Sequence, residues 1–118
     1  MTIEQTLVTM AAPFLAGGLH PNVAPQNSAR PYGVYTPVVS PTQNTLSDSV
    51  PIQQDIFQVD VWDETYQGAL TAGNAFAAAL QAAFDAGTIT GIQRSRRGRY
   101  DTETGLHGFL YEFSFWYH

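Results

Sequence analysis

The sequence contains no cysteine and no lysine. The absence of cysteine excludes disulfides, zinc–thiolate sites and thiol nucleophiles. The absence of lysine excludes a phosphate-binding loop of the GxxxxGK[ST] type. Charged residues make up only 13% of the chain, about half the share found in an average soluble domain. Much of the surface must therefore consist of Gln, Asn, Ser and Thr, or be covered by a partner.

Long apolar runs and catalytic sequence patterns are also missing. No apolar run approaches the ~20 residues of a membrane-spanning helix. The first 18 residues carry Glu4 and no basic side chain, which argues against a secretory leader. No GxSxG nucleophile elbow and no glycine-rich dinucleotide fingerprint occurs. We therefore expect no membrane partner, no catalytic residues and no cofactor.

The residues that are present predict one α+β domain spanning residues 1–118. A chain of 118 residues with 44% hydrophobic side chains is long enough to bury a single core. Ile3, Leu7 and Phe14 recur at helical spacing and predict a helix from residue 3 to about 15, which Pro13 ends or kinks. A second helix is predicted from about Thr65 to Ala86.

The second predicted helix has an unusual surface composition. It carries nine alanines, and Asp85 is its only charged residue. Short oxygen-bearing side chains and acids at Asp63, Glu64 and Thr65 suit a helix N-terminus. Two interpretations of the weakly charged outer face stay open. A neighbouring molecule covers part of it, or Ala, Gln, Asn and Thr are polar enough to face water.

Alternation of apolar and polar residues predicts the strands. Phe57, Val59 and Val61 share one face of a predicted strand, and Trp62 lies on the other. Pro37 places another strand at an edge or a bulge, and the polar run 40–51 reads as an exposed turn or long loop. The predicted fold is α+β, with a mostly antiparallel or mixed sheet of about four strands and two helices packed on one face. The predicted strands are Tyr32–Val39, Ile52–Trp62, Thr88–Gln93 and Leu106–His118.

Four of the five arginines lie within six positions, at Arg94, Arg96, Arg97 and Arg99. They fall in the run RSRRGRYDTETG, which is predicted to be a hairpin connection. Residues 1–93 hold one arginine and seven acids, whereas residues 94–118 hold four arginines and three acids. Three roles stay open for the cluster: pairing with local acids, contact with an acidic patch on a protein neighbour or an identical copy, and contact with nucleic acid. The net charge of −5 disfavours the last.

Histidines and acids do not form a recognisable chemical site. His20, His107 and His118 have no orienting partner nearby in the sequence, so His107 is interpreted as structural. The densest acidic cluster is Asp60, Asp63 and Glu64. A hard-cation site needs more oxygen ligands at a fixed loop spacing, and helix capping explains Asp63 and Glu64 without a metal. No metal site is therefore predicted.

Three segments in order resemble one protein family: APQNSARPYGVY, then FQVDVWDETYQGALTAGNAFAAAL, then YDTETGLHGFLYEFSFWY. The chain is similar to the tail completion proteins of long-tailed double-stranded-DNA bacteriophages, also described as tail terminators or tail-to-head joining proteins. The resemblance covers about residues 3–118 and rests on packing and turn residues. It implies a structural virion protein without catalytic residues, located at the head–tail junction after synthesis in the host cytoplasm.

The resemblance also implies the partners. Family members assemble as a ring, usually of six copies, that caps the head-proximal end of the tail tube, stops tube growth and meets the head connector or neck. DNA would only pass through the lumen. No family contact residue is transferred. Alternatives are another neck or connector protein, a protein-binding module, or a small enzyme using His107 and Glu112. Candidate contact residues chosen from this sequence are Arg94, Arg96, Arg97, Arg99, Asp60, Trp62 and Trp116.

Overall fold

A computed structural model describes residues 3–25, 27–39 and 53–117. Within these residues the chain forms two helices and five strands. The predicted loop at 40–51, Ile52 and His118 lie outside the described residues. The elements in chain order are α1 (Ile3–Ala11), β1 (Leu19–Pro21), β2 (Tyr32–Val39), β3 (Gln53–Asp63), α2 (Tyr66–Asp85), β4 (Thr90–Asp101) and β5 (Leu106–Tyr117).

The strands form one mixed sheet in the order β1-β2-β3-β5-β4. β1 runs parallel to β2, and the other neighbours are antiparallel. The α+β class is confirmed, but the predicted count of about four strands is wrong, because the sheet has five. β1 was missed because it has only three residues, too few for an alternating pattern to show.

The hydrophobic core lies on the sheet face that meets α2, called the helix face below. Phe57, Val59 and Val61 of β3 are all buried there, as their alternation predicts. β5 lies beside β3 and contributes aromatic side chains to the same core. Leu7 and Ala11 of α1 belong to this cluster. Two long strands and parts of both helices therefore share one core. The β5 side chains in it are Phe109, Tyr111, Phe113 and Phe115.

A recognisable sequence signal marks the end of α1 and the beginning of α2. α1 ends at Ala11, earlier than the predicted end near residue 15, because Pro13 has no amide hydrogen to donate. Phe14 and Leu15 instead form turn bonds to the carbonyl of Ala11. α2 begins after Thr65, whose side-chain oxygen accepts the Gly68 amide at 3.0 Å. The predicted capping role thus belongs to Thr65, since no acid lies in the first turn of α2.

Gly73 sets the approach of α2 to the sheet. A Cβ at this position would lie 2.8 Å from Cε2 of Tyr111, which is fully buried. Gly→Ala in a helix interior normally stabilises by about 1 kcal/mol. We expect the opposite sign here: Gly73→Ala should lower the free energy of unfolding by about 1–3 kcal/mol through overpacking. Urea unfolding measures this, with the exposed Thr71→Ala as control; a stabilised Gly73→Ala would contradict it.

The predicted placement of the arginine cluster in a hairpin loop is wrong. β4 runs from Thr90 to Asp101 and carries all four arginines, while the turn is confined to residues 102–105. The turn closes with a bond from the Gly105 amide to the Asp101 carbonyl at 2.8 Å. β5 presents a long ladder of backbone groups that need partners, so β4 extends alongside it. An edge strand tolerates arginines because their charged ends reach water.

Candidate interaction surface

The arginines lie on β4, the outermost strand of the sheet. β4 pairs with β5 on one side, and no strand in the described part of the chain pairs with its other side. Successive residues of a strand point to opposite faces. The register shifts between Gln93 and Ser95, so Arg94 lies in a bulge. The term arginine edge denotes Arg94, Arg96, Arg97 and Arg99 on this strand.

Arg99, Asp60 and Trp62 come together on the face opposite the core, called the back face. Arg99 Nη1 lies 3.2 Å from Oδ2 of Asp60. The Arg99 guanidinium also lies over the Trp62 ring, 5.8 Å from its centroid. Three predicted contact residues therefore form one cluster across β3 and β4. Gly108 makes room for the Trp62 ring, since a Cβ there would lie 2.6 Å from its Cε3 atom.

Arg94 and Arg97 also belong to the back face. Arg94 pairs with Glu112 through Nε to Oε1 at 3.4 Å and donates to the Ser114 hydroxyl at 3.3 Å. Arg97 lies opposite Leu110 in the β4–β5 register. Its side chain forms no hydrogen bond or ion pair with any residue that the structure describes. Arg97 is thus an exposed cation beside two neutralised ones.

Arg96 is separated from the others, because it points to the helix face. Its Nη1 donates to Oδ1 of Asn74 on α2 at 3.0 Å, and its guanidinium lies 5.9 Å from the Phe109 ring centroid. The buried Tyr111 hydroxyl donates to the same Asn74 oxygen at 3.1 Å. Asn74 therefore links the edge strand to the helix. Sequence reasoning missed Asn74, since nothing in the local pattern distinguishes it from other polar residues of α2.

Trp116 lies at the other end of the sheet from Trp62. In the register, Trp116 pairs with Gln54 and Thr90, whereas Trp62 pairs with Gly108. Trp116 is only partly buried. The structure therefore does not bring Trp116 into the Arg99 cluster, and its role in partner contact stays a prediction.

Burial gives Asp60 an unusual electrostatic environment. Its side chain is 17% exposed, and Oδ1 is buried with no hydrogen-bond partner among the described residues. Burial raises the pKa of Asp60 above its ordinary value of 3.8, although the Arg99 charge opposes the shift. The charged form costs free energy in the buried site. Burial therefore destabilises the ionised form of Asp60, and the ion pair with Arg99 offsets part of this cost.

The raised pKa of Asp60 predicts a pH effect with a definite sign. The folded state holds this proton more tightly than the unfolded chain. The resulting stabilisation is complete below about pH 3.8 and is lost as the pH rises through the higher folded-state pKa. Asp60→Asn should remove this part of the pH dependence. Urea unfolding of both proteins between about pH 3.5 and 6 tests this; parallel profiles would contradict it.

A cleft of about 480 Å³ adjoins the Arg99 cluster. Asp60, Trp62 and Leu106 line the cleft on the sheet side, and the segment between β1 and β2 lines it opposite. Asn22 and Asn27 in that segment have positive φ values of 61° and 64°, which asparagine tolerates better than most residues. The Asp60 carboxylate, which lines the cleft, is already paired with Arg99. The cleft therefore adjoins the Arg99 cluster on the back face of β3.

The residues of the enzyme alternative do not converge. Glu112 pairs with Arg94 on the back face. His107 lies on the helix face between two tyrosines, 4.8 Å from the Tyr100 ring and 6.3 Å from the Tyr66 ring. Within the described ranges, no group of three or more His, Asp or Glu side chains could hold a metal ion. The two residues of the enzyme alternative therefore lie on opposite faces of the sheet.

Comparison with known proteins identifies the family. A family model described as tail completion protein gp17 matches residues 6–118, nearly the whole chain. The chain belongs to the tail completion protein gp17 family. The predicted resemblance to phage tail completion proteins is therefore confirmed, and with it a structural role in a phage tail. A search of the curated proteins gives no match. Neither helix in the described part of the chain has the length and hydropathy to cross a membrane.

Proposed function

We propose that this tail completion family member caps the head-proximal end of a phage tail tube as a ring of identical copies and joins the tube to the head. The observation that carries the proposal is the family match over residues 6–118. The cap stops tube growth on one side and offers the connector a docking surface on the other. The partners are other copies, the tube protein and the neck or connector protein.

The charge distribution of the surface supports a head-to-tail ring. A heterologous contact needs two different patches that complement each other. Charge is divided along the chain in this way: residues 1–93 hold one arginine and seven acids, whereas residues 94–118 hold four arginines and three acids. Acids elsewhere on the surface, such as Asp85 at the end of α2, offer opposite charge. Complementary charges favour one orientation between neighbours over others.

The net charge supports a lumen that lets DNA pass. The chain has a formal charge of −5 at pH 7, so a ring of several copies is strongly negative overall. Phosphate contacts dominate the affinity of proteins for DNA, and an acidic ring repels phosphate. We infer that DNA crosses the ring without being held, and that the ring, proposed to contain six copies, acts as a passage.

Electron microscopy of assembled particles tests the location. A gold label on a tagged copy of this chain should lie at the head–tail junction of each particle, in the virion. Averaged images of that junction should show a ring with rotational symmetry. A label spread along the tube, or at its far tip, would contradict the proposal.

Mass measurement separates the ring from a monomeric binding module. The purified chain mixed with tail tubes should bind at one tube end in several copies. A tube lacking a free head-proximal end is the control and should bind none. If single copies stay unbound beside open tubes, the module alternative is favoured over the cap.

A further inference from the structure

The middle of the arginine edge carries two guanidinium groups without carboxylate partners. Arg94 and Arg99 are neutralised by Glu112 and Asp60. Arg96 bonds to the uncharged amide of Asn74. Arg97 has no ion pair or hydrogen bond within the residues that the structure covers. Adjacent positions of one strand therefore hold two positive charges without an ion-pair partner, although the Arg97 charge also acts on Asp60 from a greater distance.

These two charges lie on opposite sides of the same backbone edge. Arg96 is opposite Tyr111 in the register and shares its helix face, whereas Arg97 is opposite Leu110 and shares its back face. Successive residues of an added strand would also alternate between the two faces. Two adjacent carboxylates on such a strand would meet Arg96 and Arg97 as cross-strand pairs.

The backbone of β4 is open to such pairing. Every residue from Ile92 to Tyr100 is exposed, and the outer side of the strand has no strand partner among the described residues. Unpaired amide and carbonyl groups at a sheet edge bind extended peptides by adding a strand. Charged side chains at an edge also discourage unwanted pairing. Two arginines would repel basic segments and admit acidic ones.

Exposed hydrophobic side chains flank the charged centre. Ile92 is 52% exposed and Tyr100 is 57% exposed. Ile92 pairs with Ser114 and lies on the back face, and Tyr100 pairs with His107 and lies on the helix face. An added strand would therefore find apolar contacts towards both ends and charge in the middle. This arrangement gives the edge a defined register for its partner.

We propose that the free edge of β4 binds an extended acidic segment of a partner protein as an added strand, with two adjacent carboxylates paired to Arg96 and Arg97. The only adjacent acids in this chain are Asp63 and Glu64, which follow one another at the end of β3, and Glu64 already pairs with Arg30 at 2.8 Å. The segment therefore belongs to a different protein. This contact goes beyond the ring and does not depend on it.

A peptide experiment with the full chain tests the proposal. The probe is a fluorescent peptide of about ten residues, a usual strand length, that alternates threonine and valine around two central glutamates. Its control has two glutamines in place of the glutamates. The glutamate peptide should bind more tightly and slow hydrogen exchange of the β4 amides at 95–99. Exchange in α2 should not change.

Arginine variants locate the contact. Arg97→Gln should weaken binding of the glutamate peptide by about two- to fivefold, the loss expected for one exposed charge pair, and leave the glutamine peptide unaffected. Arg30→Gln, which removes an arginine away from β4, should leave both affinities unchanged. Because Arg97 contacts no other described side chain by hydrogen bond, its replacement should not disturb folding.

Three results would overturn the proposal. The first is the absence of peptide binding up to millimolar concentration. The second is equal binding of the glutamate and glutamine peptides. The third is binding of a short DNA duplex at the arginine edge without protection of the β4 amides, which would assign the edge to phosphate. Failure of the unsubstituted chain to cap tubes would contradict the ring alone, whereas the peptide results bear on the β4 edge, so the two proposals fail separately.

Discussion

Phe113→Ala is expected to lower the free energy of unfolding by about 3–5 kcal/mol. The Phe113 side chain is fully buried and lies at the centre of the helix face. Its ring meets Phe76 of α2 edge-on, with the centroids 6.0 Å apart. Truncation removes the apolar contact and leaves a cavity between helix and sheet. Since small domains have only about 5–15 kcal/mol of stability in total, soluble yield should fall as well.

Urea unfolding followed by circular dichroism measures the effect of Phe113→Ala. The matched control is Tyr100→Ala, which removes an aromatic ring that is 57% exposed and touches His107. We expect the control to lose about 1 kcal/mol or less. Similar losses in the two variants would mean that the helix face is not the core of the fold.

Arg97→Glu is expected to abolish most tail completion while leaving the fold intact. The side chain is exposed, so the change in the free energy of unfolding should stay near 0.5 kcal/mol, roughly the range for surface substitutions. Reversal of the charge places a carboxylate where an acidic neighbour would bind. Complementation of tail assembly by the variant, counted as completed particles, should fall by about tenfold or more, since like charges at a contact cost several kcal/mol.

Arg96→Glu is the matched comparison, because the two arginines are adjacent but face opposite sides. Arg96 donates to Asn74 and lies over Phe109. Unlike Arg97→Glu, the Arg96→Glu substitution should therefore lower the free energy of unfolding by about 1 kcal/mol. Arg97→Gln separates loss of the charge from its reversal. Full complementation by Arg97→Glu would show that the arginine edge makes no contact needed for assembly.

Regular periodicity predicted the central elements well. The alternation of Phe57, Val59 and Val61 predicted β3 and its buried face, and the aromatic alternation predicted β5. The helix from Thr65 was predicted within one residue at each end. β3 and β5 lie side by side inside the sheet, and α2 contributes to the same core. Burial there imposes the period on the side chains. Local pattern and tertiary environment agree there.

Elements at the edges of the sheet were predicted less well. β1 is three residues long, and its pairing with β2 depends on contacts distant in sequence. The second half of β4 was assigned to a loop because clustered arginines suggest solvent. Both faces of an edge strand can reach water, so the usual alternation is weak at Arg96 and Arg97. Residues 94–101 form a strand because they pair with the backbone groups of β5. The local sequence of β4 does not reveal this pairing.

The candidate site was predicted in its residue types but not in its arrangement. Asp60, Trp62 and Arg99 were named as contact residues, and the structure places them in one cluster on the back face. Arg96 was grouped with the other arginines, yet it faces α2. The bulge between Gln93 and Ser95 and the bond to Asn74 set these directions. Neither is visible without the strand register.

The length of the tail tubes tests the central claim most directly. That claim is that the chain acts as a structural cap on the tube rather than as a catalyst or a free binding module. Electron micrographs of lysates made without this protein should show overlong tubes that continue to polymerise, and adding the protein back should restore a uniform length. Tubes of normal length in its absence would contradict the claim and favour another role at the neck.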